Sequence, residues 1–239
     1  MLKIGIYGVC GKMGGRIAAL ALFDQDVAVV SAIERASHPM IGKKIDGGIV
    51  IEETIDGARK IDCMIDFTLP ASSMEHIESC LVRRIPMVIG TTGFDKNEEK
   101  AIEVASKKIP IVFSPNMAPG VNVLFDIVAK AARALGDDFS IKVDETHHIH
   151  KKDSPSGTAK MIAKVIKEAS EKEVPVEAFR EGEIIGNHGI LFENEFETLE
   201  IRHDARTRDV FASGALKAAN FLSGKTSGLY TMKDVLNLS

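Results

Sequence analysis

Residues 2–7, LKIGIY, have the apolar pattern of a short strand and run straight into Gly8-Val9-Cys10-Gly11-Lys12-Met13-Gly14, after which Ile17, Ala18, Leu20, Ala21 and Leu22 recur at helical spacing. A strand, a glycine turn and a helix in immediate succession leave few folds open. The glycines permit a tight turn and close approach of backbone to a ligand, and the helix start presents N–H groups to an anion. The spacing is Gly-x-x-Gly-x-x-Gly, looser than the Gly-x-Gly-x-x-Gly of the strict dinucleotide fingerprint, so the turn alone is a weak signal. The next segment strengthens it. Val27–Ile33 reads as a second strand and ends on Glu34, twenty residues after Gly14, where a dinucleotide fold places the acid that binds the adenosine ribose. Arg35 comes next, and a guanidinium there can stack on adenine or pair with a 2′-phosphate. The Glu34-Arg35 pair therefore predicts use of both NADH and NADPH.

The alternation continues. IDCMIDFT (residues 61–68) is a near-continuous apolar run of the buried parallel-strand type, and Pro70 opens a helix to about Arg84. A strand over 86–90, a helix over 95–108 and a strand over 110–113 come after it, which together predict a doubly wound parallel sheet of Rossmann-like α/β type. Ligands of such sheets bind beyond the carboxyl ends of the strands. Gly90, Thr91 and Thr92 lie at one such end and Ser114, Pro115, Asn116 and Met117 at another, and these residue types suit a nicotinamide ribose and carboxamide.

A helix over 121–135 leads to the second half, whose centre is ETHHIHKKDSPSGTAK, residues 145–160. Extended backbone would put Glu145 and His147 on one face and His148 with His150 on the other, with Lys151 on the side of His147. The Pro-Ser-Gly-Thr turn then starts a helix from Ala159 to Glu171, so an imidazole, an ammonium and a cradle of N–H groups converge on a site for a small dianion. His148-x-His150 also has a zinc spacing, but Cys10, Cys63 and Cys80 are remote and no carboxylate pattern completes a ligand set, so no metal is expected. Strand patterns at 178–185, 188–193 and 195–203 make the second domain α+β with an open mixed sheet, helices on one face. Covering the other face calls for another subunit, hence a homo-oligomer. The last helix, 211–222, and the tail return to the first domain, giving a dinucleotide-binding domain of residues 1–118 and 213–239 and a substrate and assembly domain of 119–212.

Composition removes other classes. A net charge of −4 gives no global basic field for nucleic acid or anionic membrane. No apolar run approaches a bilayer span and three unevenly spaced cysteines form no framework, which points to a reduced, cytoplasmic protein.

Taken together, GVCGKMG, Glu34-Arg35, IDFT, VIGTTGF, SPNMAPGVNV, ETHHIHKKDSPSGTA and the closing LSGKTSGLYTMKDVL resemble the dihydrodipicolinate reductase family of the diaminopimelate route to lysine. The resemblance spans most of the chain. It implies that Gly8, Val9, Cys10, Gly11, Lys12 and Met13 hold the cofactor pyrophosphate, that Glu34 and Arg35 read the ribose, and that Gly90–Thr92 with Ser114–Met117 hold the nicotinamide half. It implies acid–base work for His147 and Lys151, binding of substrate carboxylates by His148, Gly157 and Thr158, and a homotetramer built through the second domain. Cys10 stands where a small residue is usual and Lys12 where arginine is frequent. Hydride delivery to a cyclic unsaturated imine leaves electron density that a proton on the adjacent carbon must quench. A free lysine side chain, with a pKa of about 10.4, is charged near neutrality while a free histidine, at about 6.5, is mostly neutral. Lys151 is therefore the expected donor, with His147 sharing the role. Two other readings compete: a semialdehyde- or homoserine-type dehydrogenase, which in the semialdehyde case needs a nucleophilic cysteine, and a dinucleotide sensor, which has no use for a proton donor.

Overall fold

In the computed structural model the described residues are 1–55 and 59–238. The chain divides into two compact units, Met1–Met117 with Phe211–Asn237, and Ala118–Val210. The first unit carries strands β1 (Leu2–Tyr7), β2 (Val27–Ile33), β3 (Ile51–Glu52), β4 (Cys63–Asp66), β5 (Met87–Ile89) and β6 (Pro110–Phe113), with helices α1 (Lys12–Ala21), α2 (Pro70–Arg83) and α3 (Lys96–Ser106) between them. The second unit holds α4 (Pro119–Leu135), β7 (Ser140–His147), α5 (Gly157–Ser170), β8 (Val176–Arg180), β9 (Asn187–Glu193) and β10 (Thr198–Asp204). Helix α6 (Asp209–Leu222), β11 (Gly228–Tyr230) and α7 (Met232–Val235) close the chain.

The first sheet runs β11-β6-β5-β4-β1-β2-β3 and is parallel at every pairing. Each strand has one set of apolar side chains for each face. Ile4, Ile6, Cys63, Ile65, Val88 and Val112 pack with α1 and α6, while Tyr7, Met64, Met87, Ile89 and Ile111 pack with α2 and α3. Burial on both faces is why these strands read as unbroken apolar runs. Gly5 in mid-strand is explained by space: a Cβ there would lie 2.1 Å from Met64 Sδ. Local signals set the helix ends. Pro70 and Pro119 occupy first turns, where a missing N–H costs nothing, and Asp95 with Glu98 forms a capping box at α3.

The second sheet has the order β10-β9-β7-β8, with β7 antiparallel to β9 and parallel to β8. Ile141, Val143, Glu145 and His147 form its buried row on β7, and α4 and α5 pack together and against the sheet. Three sequence expectations need correction. Strand β7 stops at His147, because its neighbour β8 stops at Arg180, the register partner of His147, and the next residues turn through Lys151 N to His148 O at 3.1 Å. His148 and His150 therefore do not share a strand face. The strand expected to run to Ile185 ends at Arg180, since Glu181–Gly182 turns with Gly182 at φ +47. The closing segment, in which the sequence pattern predicts no strand, adds β11 to the first sheet beside β6.

Candidate active site

At the head of β1, Gly8 sits at φ +65, a conformation that side chains with a Cβ rarely adopt. A Cβ at Gly14 would fall 2.1 Å from Gly8 O, so the turn and α1 pack backbone to backbone. Helix α1 begins at Lys12 with Gly11 as its N-cap and no side-chain cap, which leaves the N-terminus suited to an anion. The Glu34 carboxylate accepts from Cys10 N and from Arg35 N, both at 3.1 Å, linking the acid that follows β2 to the glycine turn. Glu34 and Arg35 border a cleft of about 430 Å³, lined also by Gly8, Glu53, Glu75 and His76. These features fit a dinucleotide.

The other cofactor candidates divide by exposure. Thr92 and Pro115 are exposed and Gly90 is half-buried, whereas Thr91, Ser114 and Met117 are buried. The Thr91 hydroxyl stands in a network around buried Asp66: Ser73 Oγ donates to it at 3.0 Å, and it donates to Asp66 Oδ1 at 3.3 Å. Ser114 Oγ donates to Asn116 O at 2.9 Å, and Met117 belongs to the apolar core. For Thr91 and Met117 the backbone, not the side chain, is what remains for a ligand.

The acid–base candidates lie in the second unit. Glu145 and His147 project from the same face of β7, with 0% and 7% of their surface exposed, and His147 Nδ1 is in direct contact with Glu145 Oε2. Glu145 Oε1 accepts from Ser156 N at 3.0 Å and from both terminal nitrogens of Arg180 at 3.2 Å. Gly186 leaves room for the imidazole; a Cβ there would lie 2.8 Å from His147 Nε2. Lys151 Nζ pairs with Asp153 Oδ1 at 2.8 Å. Ser156 caps α5 by accepting from Ala159 N at 3.2 Å, so the helix opens at Gly157, where a Cβ would meet nothing within 4 Å. Thr158 comes next in the same first turn, with its side chain half-buried. His148 lies in the loop before Lys151, its ring 6.1 Å from that of His150.

Beyond the expected residues, the sheet brings in His188 and His203. Register sets His188 opposite Glu145 and His203 opposite His188, so a polar row crosses three strands. The His188 ring stands edge-on to His147 at 5.3 Å, and neither of its nitrogens has a partner among the described residues. Burial pushes the Glu145 carboxyl up, but the Ser156 N–H, His147 and Arg180 outweigh it and hold the group below its ordinary value. Burial lowers His147, against the opposing pull of Glu145, and Lys151 and Arg180 lower it further. Burial, then His147 and His203, push His188 down to about 4. Glu145, His147 and His188 bring possible metal-ligand atoms within 4.8 Å of one another, as do Cys10, Glu34 and His38. In the first group both Glu145 oxygens are already engaged.

A scan of protein families matches the N-terminal model of dihydrodipicolinate reductase to residues 2–117 and its C-terminal model to residues 120–236. The chain belongs to the dihydrodipicolinate reductase family. Among curated relatives of that family, a 4-hydroxy-tetrahydrodipicolinate reductase from Geotalea uraniireducens is 38% identical over 267 residues, covering 100% of both chains. One from Anaeromyxobacter dehalogenans is 36% identical over 266 residues, covering 100% of this chain and 98% of its own. A dipicolinate-bound dihydrodipicolinate reductase from Paenisporosarcina sp. TG-14 shares the fold, with a TM-score of 0.85 at 24% identity and 98% coverage of each chain.

Arg180, His188 and His203 were not among the reductase-type candidates read from sequence. Nothing in their neighbours marks them; only strand register carries them to Glu145 and His147. Asp66 and His76, joined at 2.8 Å, were likewise missed, although Asp66 at the end of an apolar strand was a readable signal.

Proposed function

We propose that the chain reduces 4-hydroxy-tetrahydrodipicolinate to tetrahydrodipicolinate with NADH or NADPH, losing water from the substrate and taking one proton. The observation that carries the reading is the cluster of His147 and Lys151 ahead of the open first turn of α5, within a chain matched along nearly its whole length by one reductase family. Gly8–Met13 would hold the pyrophosphate, Glu34 and Arg35 the ribose, and the backbone at Gly90–Thr92 and Ser114–Met117 the nicotinamide half. Bound there, the reduced nicotinamide supplies the hydride. Lys151 delivers the proton to the adjacent ring carbon, and His147, held by Glu145, shares that role. His148 and the amides of Gly157 and Thr158 take the ring carboxylates, the dipole of α5 favouring negative charge at its start.

The competing readings lose ground. A semialdehyde dehydrogenase needs a thiolate, yet partial burial and then Glu34 raise the Cys10 thiol, and Cys63 and Cys80 are buried with pKa values pushed up. A sensor would not need the buried Glu145–His147 pair.

The test is nicotinamide oxidation on mixing the protein with the ring compound formed from pyruvate and aspartate semialdehyde. Turnover with both cofactors is expected, with the lower KM for NADH, because Glu34, Glu53 and Glu75 share the cleft with Arg35 and repel a 2′-phosphate. Lys151→Ala should lower kcat by roughly 10²–10⁴ while leaving cofactor affinity nearly unchanged. Cofactor binding without turnover would favour the sensor.

A further inference from the structure

We propose that Glu145 is the positioning residue of this site, setting with one oxygen the tautomer of His147 and anchoring with the other the turn that opens α5. The inference rests on His147 being an acid–base group of the proposed reaction. An ionised carboxylate has only acceptor sites, so the ring nitrogen it touches must carry a hydrogen. Oε2 touches Nδ1. The proton that exchanges with substrate is then the one on Nε2, the atom for which the missing side chain of Gly186 leaves space.

Oε1 meanwhile takes the Ser156 N–H, immediately ahead of Gly157, and the guanidinium of Arg180. Arg180 also donates to Asp153 O at 2.6 Å, so the loop bearing Lys151 is held at both its later residues by the same carboxylate–guanidinium pair. One side chain with no solvent exposure thus connects the imidazole, the lysine loop and the carboxylate cradle. Removing its side chain would leave several buried donors unmatched.

The groups that act on His147 come from every neighbouring element: Glu145 on its own strand, Lys151 and Asp153 in the loop, Arg180 on β8 and His188 on β9. Two of these are cations. Glu145 is the buried anion that keeps an imidazolium accessible among them.

The experiment is nitrogen NMR of ¹⁵N-histidine-labelled wild type and E145Q, with the pH dependence of kcat/KM for both. In the wild type, neutral His147 should carry its proton on Nδ1. In E145Q the side-chain amide donates to Nδ1, the proton should move to Nε2, and the His147 titration and the matching limb of kcat/KM should shift down by roughly 1–3 pH units. A wild-type ring protonated on Nε2, or an E145Q titration unchanged from wild type, would overturn the inference. If E145Q does not fold, the wild-type tautomer alone decides. A wild type with the Nδ1 tautomer but no turnover would keep the Glu145 contact and remove the reductase reading.

Discussion

His188 is a buried imidazole whose two nitrogens have no partners among the described residues, next to a histidine and opposite a carboxylate. Its native pKa of about 4 lies below the ordinary histidine value of about 6.5. Above that ordinary value neither native nor unfolded chain binds the proton. Between the two values only the unfolded chain binds it, so stability is full above about pH 6.5 and is lost as pH falls towards 4, by on the order of 3 kcal/mol. Urea unfolding at several pH values should show this slope, and H188Q should flatten it; equal slopes would assign the proton uptake elsewhere. The same residue shows what sequence conceals. ETHHIHKKDSPSGTA was legible because its chemistry is contiguous, and GVCGKMG because glycine spacing reports backbone geometry directly. His188, His203 and Arg180 reach the site through strand register, a relation between distant segments that single-residue context does not contain.

Helix α5 depends on Ser156 in two ways, through its side chain as a cap and through its N–H as a donor to Glu145. Ser156→Ala removes only the first. The expected cost is about 1 kcal/mol, or a Tm lower by about 2–4 °C by calorimetry, with the Glu145 contact retained. A much larger loss would mean that the cap also holds the loop before it. At this scale the α/β alternation was readable because double-sided burial makes apolar strands and amphipathic helices distinct. Strand ends were less so: β8 stops where Gly182 turns and β7 stops for want of a partner beyond His147. The three-residue β11 is too short to show any period.

Within the second unit, α4 and α5 pack on the face carrying Ile141 and Val143, and the described residues of that unit place no helix on the other. Lys142, Asp144, Glu193 and Arg202 lie on it and pair in part, Lys142 with Glu193 at 3.0 Å and Arg202 with Asp144 at 3.7 Å, while Phe179 at its edge is 51% exposed. We propose that this face meets the same face of other copies in a homotetramer, by edge and charge complementarity. Light scattering should give about four times the 25.9 kDa chain mass, falling with added salt because the face is charged; a monomer at micromolar concentration would refute the assembly. The division of the chain also has a temporal side. The parallel sheet takes its last strand, β11, and most of helix α6 from residues made after Ala118–Val210 of the second unit. During synthesis, strand β6 must emerge with an open edge and wait for the C-terminal residues to pair with it. That edge is thus open to mispairing until residues 228–230 have been made.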